Sequence, residues 1–179
     1  MIAFVTLLDP DKNKLSQELW NRLGVQCDLT GIKLPALTHF SWHVANEYTE
    51  QMETELASLI TQVEPFTIHT VGLGLFTGPA PVLYLPIVKT RKLEQIHRRV
   101  WELLTPYCVG PNLLYQPDRW VPHITIAYKN VSQDTILCSL KDLIHIPLQM
   151  EFLADNFSVI FESEQNLGLR SKKLFAKGG

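Results

Sequence analysis

Two stretches of this 179-residue sequence place imidazoles and hydroxyls at every second position. From Leu37 to Asn46, His39, Ser41 and His43 alternate with Phe40, Trp42 and Val44. From His123 to Lys129, His123, Thr125 and Ala127 alternate with Ile124, Ile126 and Tyr128. A period of two is that of a strand, so His39 and Ser41 share one face, as do His123 and Thr125, while their apolar neighbours turn to a core. An imidazole of ordinary pKa, about 6.5, can take or give a proton at neutral pH, and two of them supply a general base and a general acid once a fold brings the strands together. Each hydroxyl can donate to a negatively charged oxygen as charge develops. Either motif alone arises often by chance; the pair is the informative signal.

Neighbouring residues complete the candidate set. Regular alternation carries His43 on the same face as His39, where it serves as a binding residue or substitute base or has a structural role. Only His39, however, has a hydroxyl residue two positions on. Lys129 continues the face of His123, Thr125 and Ala127, and Arg119 and Trp120 precede the second motif, offering cations and a ring to a substrate phosphate or base, although Trp120 can equally be core. His69, His97 and His145 read as packed or solvated side chains. His39, His43 and His123 are imidazoles of the kind zinc accepts, but no Cys or carboxylate accompanies them on that face, so no metal is expected. Arg91, Lys92, Arg98 and Arg99 form a basic patch that reads first as a solvated helix face.

The elements that must position these residues follow from period and punctuation. Residues 3–8 predict a strand, Asp9-Pro10 a helix start, and Leu15, Leu19 and Leu23 a helical stripe ending at Gly24, with loop over 25–36. Met52, Leu56, Leu59, Ile60 and Val63 predict a second helix. Residues 65–76 and 81–88 predict two strands of a hairpin turning at Gly78-Pro79-Ala80-Pro81, and Thr90 caps a helix stopped by Pro106. A long loop leads to the His123 strand; Ser132 caps a short helix, and strands over 147–154, 156–163 and 166–175 follow. The order strand with histidine and hydroxyl, helix, strand occurs at 37–76 and again at 122–154, which hints at two similar lobes of one domain spanning 1–179.

Composition bounds the setting. The 16 Lys and Arg against 18 Asp and Glu give a net charge of −2, so overall charge does not advertise a long polyanionic partner. No apolar run approaches the roughly 20 residues of a membrane-spanning helix, and no signal peptide opens the chain, so no membrane partner and a cytoplasmic location are expected. Cys27, Cys108 and Cys138 are three in number at wide spacings, predicting reduced thiols rather than a disulfide framework.

At His39-Phe40-Ser41-Trp42 and Val121-Pro122-His123-Ile124-Thr125-Ile126 the sequence resembles the 2H phosphoesterase superfamily, whose best-known branch is the 2′-5′ RNA ligase or RNA cyclic phosphodiesterase family. The pattern there is His-x-Thr/Ser-x, twice. This chain departs from it with Ser41 where Thr is commoner and with Thr38 rather than Pro before the first histidine. The hairpin from Val71 to Leu85 and the helix after Thr90 extend the resemblance along most of the chain. It implies an α+β fold, two-lobed, with antiparallel sheets and flanking helices around a central cleft. It further implies a metal-independent phosphoesterase without cofactor, in which His39 and His123 are catalytic and Ser41 and Thr125 bind phosphate, with His43, Arg119 and Lys129 as possible substrate contacts. The partner expected is a nucleotide or RNA end bearing a 2′,3′-cyclic phosphate or 2′-5′ linkage, and the chain is expected to be a monomer. Two alternatives stay open: a non-catalytic RNA or nucleotide-binding module, and a phosphodiesterase for a small non-RNA cyclic phosphate.

Overall fold

Apolar residues on both faces of the first strand, β1 (Ile2–Leu7), make it a central strand, and a computed structural model, which describes residues 1–27, 37–128, 131–162 and 167–176, places it in the middle of a sheet. Asp9 starts α1 (Pro10–Cys27): its Oδ1 accepts from Lys12 N at 2.9 Å and Pro10 occupies the first turn. The helix runs past Gly24, and its buried side chains are Ser16, Trp20, Leu23 and Cys27, whereas Leu15 is exposed. The predicted loop is thus helical through Cys27, and its remainder, 28–36, lies outside the described residues.

β2 (His39–Tyr48) and α2 (Gln51–Ile60) follow as predicted. The single strand expected over 65–76 is two. β3 (Phe66–His69) and β4 (Gly74–Phe76) are separated at Gly72, whose φ of 59° leaves the extended region and breaks the ladder. β4 forms the hairpin with β5 (Val82–Pro86). Thr90 caps α3 (Arg91–Leu104) by accepting from Leu93 N at 3.2 Å. The long loop after it contains a strand the periodicity missed, β6 (Cys108–Pro111), paired with the far end of β2. β7 (His123–Ala127) and α4 (Gln133–Leu143) come next, the latter capped by Ser132, whose Oγ accepts from Thr135 N at 3.1 Å. β8 (Glu151–Ala154), β9 (Asn156–Glu162) and β10 (Leu167–Leu174) end the described chain.

The main sheet is antiparallel and open, in the order β10-β9-β1-β2-β7-β5-β4, with β6 also on β2; β3 and β8 form a separate ladder. The strand–helix–strand units β2-α2-β3 and β7-α4-β8 therefore meet twice, β2 on β7 and β3 on β8. At the first junction a single pair, Phe40 opposite Ile124, is in register. One face of the sheet, carrying Phe4, Phe40, Trp42, Ile124 and Phe157, joins helix residues such as Leu23, Leu56, Val100 and Leu143 in one large core. The other face carries a small apolar cluster of Ala3, Val5, Leu7, Val44 and Ile160.

One correction concerns residues far apart in sequence. Cys27 and Cys138 form a disulfide across 111 residues, because α1 packs on α4; odd number and spacing cannot register that approach, and Cys108 alone is free. Among the described residues, no helix is long and apolar enough to cross a membrane.

Candidate active site

Each motif strand carries a β-bulge immediately after its hydroxyl residue. Along β1–β2, Val5 opposes Ser41 but Phe4 opposes His43, so Trp42 is an extra residue. Along β5–β7, Tyr84 opposes Thr125 but Leu83 opposes Ala127, so Ile126 is extra. A bulge reverses the alternation beyond it. His39 and Ser41 precede the first bulge and keep one face, and His123 and Thr125 do the same in the second strand. All four line a cavity of about 240 Å³, to which Trp20 of α1 also contributes. Because Phe40 pairs with Ile124, an antiparallel register sets His39 across from Thr125 and Ser41 across from His123. His39 and His123 then occupy one diagonal of a four-residue patch, with Ser41 and Thr125 at the remaining corners; Cα atoms on such a diagonal are typically about 7–8 Å apart.

The two rings are held alike. His39 Nδ1 bonds Leu37 O at 3.0 Å and His123 Nδ1 bonds Val121 O at 2.7 Å, in each case the carbonyl two residues back. An N–H donated to a carbonyl fixes the proton on Nδ1 and makes Nε2 the nitrogen that can accept a proton when the ring is neutral and donate one when it is charged. His123 also lies against the rings of Phe76 and Tyr84, at 5.1 and 5.0 Å between centroids. Burial holds its pKa below the ordinary imidazole value, outweighing the hydrogen bond to Val121, which acts the other way. Thr38, at the position where the resembled family has Pro, anchors the start of β2 to α1: its Oγ1 donates to Asn13 Oδ1 at 2.7 Å.

The bulges overturn two placements read from alternation. His43 pairs with Phe4 on the core side and is fully buried, and Val44 takes the cavity side instead. Its Nδ1 shares a 2.5 Å hydrogen bond with the Tyr48 hydroxyl, its Nε2 lies 3.4 Å from Thr105 Oγ1, and its ring packs on Trp101. Thr105 spends its own proton on Trp101 O, so His43 donates from Nε2 and accepts from Tyr48. Burial pushes its pKa down to about 4. It is a structural histidine, and the trio of His39, His43 and His123 is dissolved as a ligand set. Ala127 likewise turns into the core while Tyr128 lines the cavity, so the face that Lys129 was read to continue ends at Thr125. Lys129 itself lies outside the described residues. Arg119 is exposed and is not among the described residues lining this cavity.

Sequence reading missed the cavity walls: Leu37, Val82, Tyr115, Tyr128 and Ile160. Tyr115 sits in a short 3-10 turn, Leu113–Tyr115, opened by Asn112, whose Oδ1 accepts from Leu114 N. An Asx cap is visible in sequence, but which cavity it faces is not. A larger open depression of about 1140 Å³ runs along α3 and includes Arg91, Lys92, Arg98 and Arg99. Its cations are interleaved with acids, and two of them are engaged: Lys89 pairs with Glu94 at 3.8 Å and Lys92 lies over the Phe66 ring. It is a mixed-charge helix face. Convergence of chemistry rather than size selects the smaller cavity.

No curated protein sequence matches this chain significantly. Among solved structures it resembles a crystal structure described as a phosphoesterase, at 15% identity, TM-score 0.64 and 98% of each chain covered. It also resembles Escherichia coli LigT complexed with 3′-AMP, at 14%, 0.64 and 98% of each. A third, TT0787 of Thermus thermophilus, matches at 14%, 0.60 and 99% of each. These likenesses establish the α+β fold with its antiparallel sheets. The sequence pattern of the 2′-5′ RNA ligase superfamily matches residues 35–161, a span holding both histidine motifs and the strands between them, and this chain therefore belongs to that superfamily.

Proposed function

We propose that the protein is a metal-independent phosphoesterase that opens a 2′,3′-cyclic phosphate, or cleaves a 2′-5′ phosphodiester, at the end of an RNA or nucleotide by two-histidine acid and base catalysis. Superfamily membership supports the coarser class, phosphoesterase or RNA-ligase-like. The observation that carries the finer reading is the convergence of His39, Ser41, His123 and Thr125 on one cavity, with both imidazoles held by Nδ1 in the same way. The chain acts as one domain of two similar lobes, each contributing one motif, a reading that the mirrored pairings β2–β7 and β3–β8 support.

In hydrolysis one imidazole takes a proton from water as its oxygen bonds to phosphorus, and the other gives a proton to the ribose oxygen as the P–O bond breaks. The hydroxyls of Ser41 and Thr125 donate to the non-bridging oxygens, whose charge grows in the transition state. Burial favours the neutral form of His123, which suits it to the base and leaves His39 as the acid. The apolar floor of Ala3, Val44 and Ile160 and the ring of Tyr115 suit a sugar or base beyond the phosphate. The test is a panel of 2′,3′-cyclic nucleotides, 2′-5′ dinucleotides and RNA oligomers with defined ends, assayed with chelator present. Turnover that persists under chelation upholds the proposal. Tight binding without turnover makes the protein a binding module, and turnover lost to chelation makes it a metalloenzyme.

A further inference from the structure

The bulge in β2 leaves backbone carbonyls out of step with the β1 ladder, and buried carbonyls need donors. Two aromatic side chains supply them. Trp120 donates Nε1–H to Ser41 O at 3.0 Å, and His97 of α3 lies with Nε2 3.1 Å from Trp42 O, to which it donates. Both are almost fully buried, and they stack on each other with centroids 3.7 Å apart and planes 3° from parallel. The indole of the bulged residue, Trp42, stacks in turn on Trp120 at 5.6 Å and donates its own Nε1–H to Thr6 Oγ1 at 2.9 Å. The bulge is thus gripped at successive carbonyls and at its side chain.

We propose that Trp120 and His97 are positioning residues: together they lock the β2 bulge and thereby hold the Ser41 hydroxyl at the phosphoryl position. The inference rests on the proposed function for its catalytic consequence. Its geometry has a further point. Trp120 lies three residues before His123, so the segment that delivers the second motif also fastens the first, at the junction where the β2–β7 ladder provides a single registered pair. The backbone of Tyr115, a residue of the cavity wall, lies beside His97. Burial keeps His97 neutral, with a pKa near 4, so its one proton is committed to a carbonyl. A histidine that sequence alone reads as a bland packed residue therefore sits one hydrogen bond from the strand of the first motif.

Trp120→Phe keeps most of the ring and removes the donor. With 2′,3′-cyclic AMP as probe, kcat is expected to fall about tenfold to a hundredfold with KM little changed, as for a small misplacement of catalytic groups. In a Ser41→Ala background the same change should lower kcat by less than about twofold, because its route of action is already gone. His97→Gln, which can still donate to Trp42 O, should retain more activity than His97→Leu. A second readout needs no turnover. Amide hydrogen exchange in Trp120→Phe should quicken by about tenfold or more around Ser41 and His43 while the β9–β10 pairing keeps its protection. Uniform acceleration across the sheet, or kcat losses that multiply in the double variant, would overturn the clamp. If the wild-type protein turns over none of the substrate panel, the functional proposal fails, and the exchange pattern still decides the clamp. If His39→Ala and His123→Ala are inactive while Trp120→Phe is unaltered in rate and exchange, the clamp fails and the function stands.

Discussion

His39 and His43 lie on one strand four residues apart, yet the bulge between them sends one ring to the cavity and the other to the core. Replacing each by alanine should therefore produce opposite phenotypes. His39 is half-buried, and its carbonyl contact is to Leu37 O at 3.0 Å. Losing one such hydrogen bond costs about 1 kcal/mol, small against the 5–15 kcal/mol of a typical domain, so the fold should survive. Removing a positioned acid or base lowers turnover by about 10² to 10⁴-fold, or some 3–5 kcal/mol of transition-state stabilisation. For His43 the balance reverses. Its removal strands the Tyr48 hydroxyl, at about 1–3 kcal/mol, and deletes a ring packed 4.8 Å from Trp101, at about 0.5–1.5 kcal/mol. The total, about 1.5–4.5 kcal/mol, should appear in the denaturation midpoint, while folded molecules keep near wild-type kcat. The assay is turnover of a 2′,3′-cyclic nucleotide at neutral pH, normalised to folded protein, beside urea unfolding of each variant. A His43→Ala protein that is stable but inactive, or a His39→Ala protein within about threefold of wild-type rate, would refute the bulge-based assignment.

Other consequences are open to direct measurement. His43 and His97 are both held near pKa 4 by burial, so below pH 6.5 the unfolded chain binds protons that the folded chain refuses; stability should be full above pH 6.5 and decline by on the order of 3 kcal/mol per ring as pH falls to about 4, a slope that His43→Gln should reduce in urea titrations. Turnover should follow a bell in pH whose acid limb, set by the depressed pKa of His123, lies below 6.5 and is indifferent to chelator; a single rising limb abolished by chelation would replace the two-histidine mechanism. Ser41→Ala and Thr125→Ala should each cost about 10² to 10³-fold in kcat, the usual loss of one donor to a developing negative oxygen, and unchanged rates would remove the hydroxyls from the mechanism. Thiol titration of the folded, non-reduced protein should find one free cysteine, Cys108, and reduction should lower stability by about 2–4 kcal/mol through the loop that Cys27 and Cys138 close; three titratable thiols would contradict that pairing.

What the sequence determined by itself is local. Asp9, Thr90 and Ser132 mark helix starts because a cap is a contact between residues three apart, and each makes that bond. The paired histidine and hydroxyl motifs were legible because strand alternation alone gives each pair one face, and both pairs precede the bulge in their strand. What lies beyond the bulges was not legible. Whether Trp42 or Ile126 is accommodated as an extra residue depends on which residues of β1 and β5 stand opposite, a property of two strands rather than one. That is why His43 and Ala127 left the face assigned to them. The same reasoning covers the Cys27–Cys138 bond and the Trp120 donor to Ser41 O, which join positions 111 and 79 residues apart. Period and punctuation describe a segment's preference for its own backbone and one apolar side. Which segments meet, and in what register, is decided by packing over the whole core.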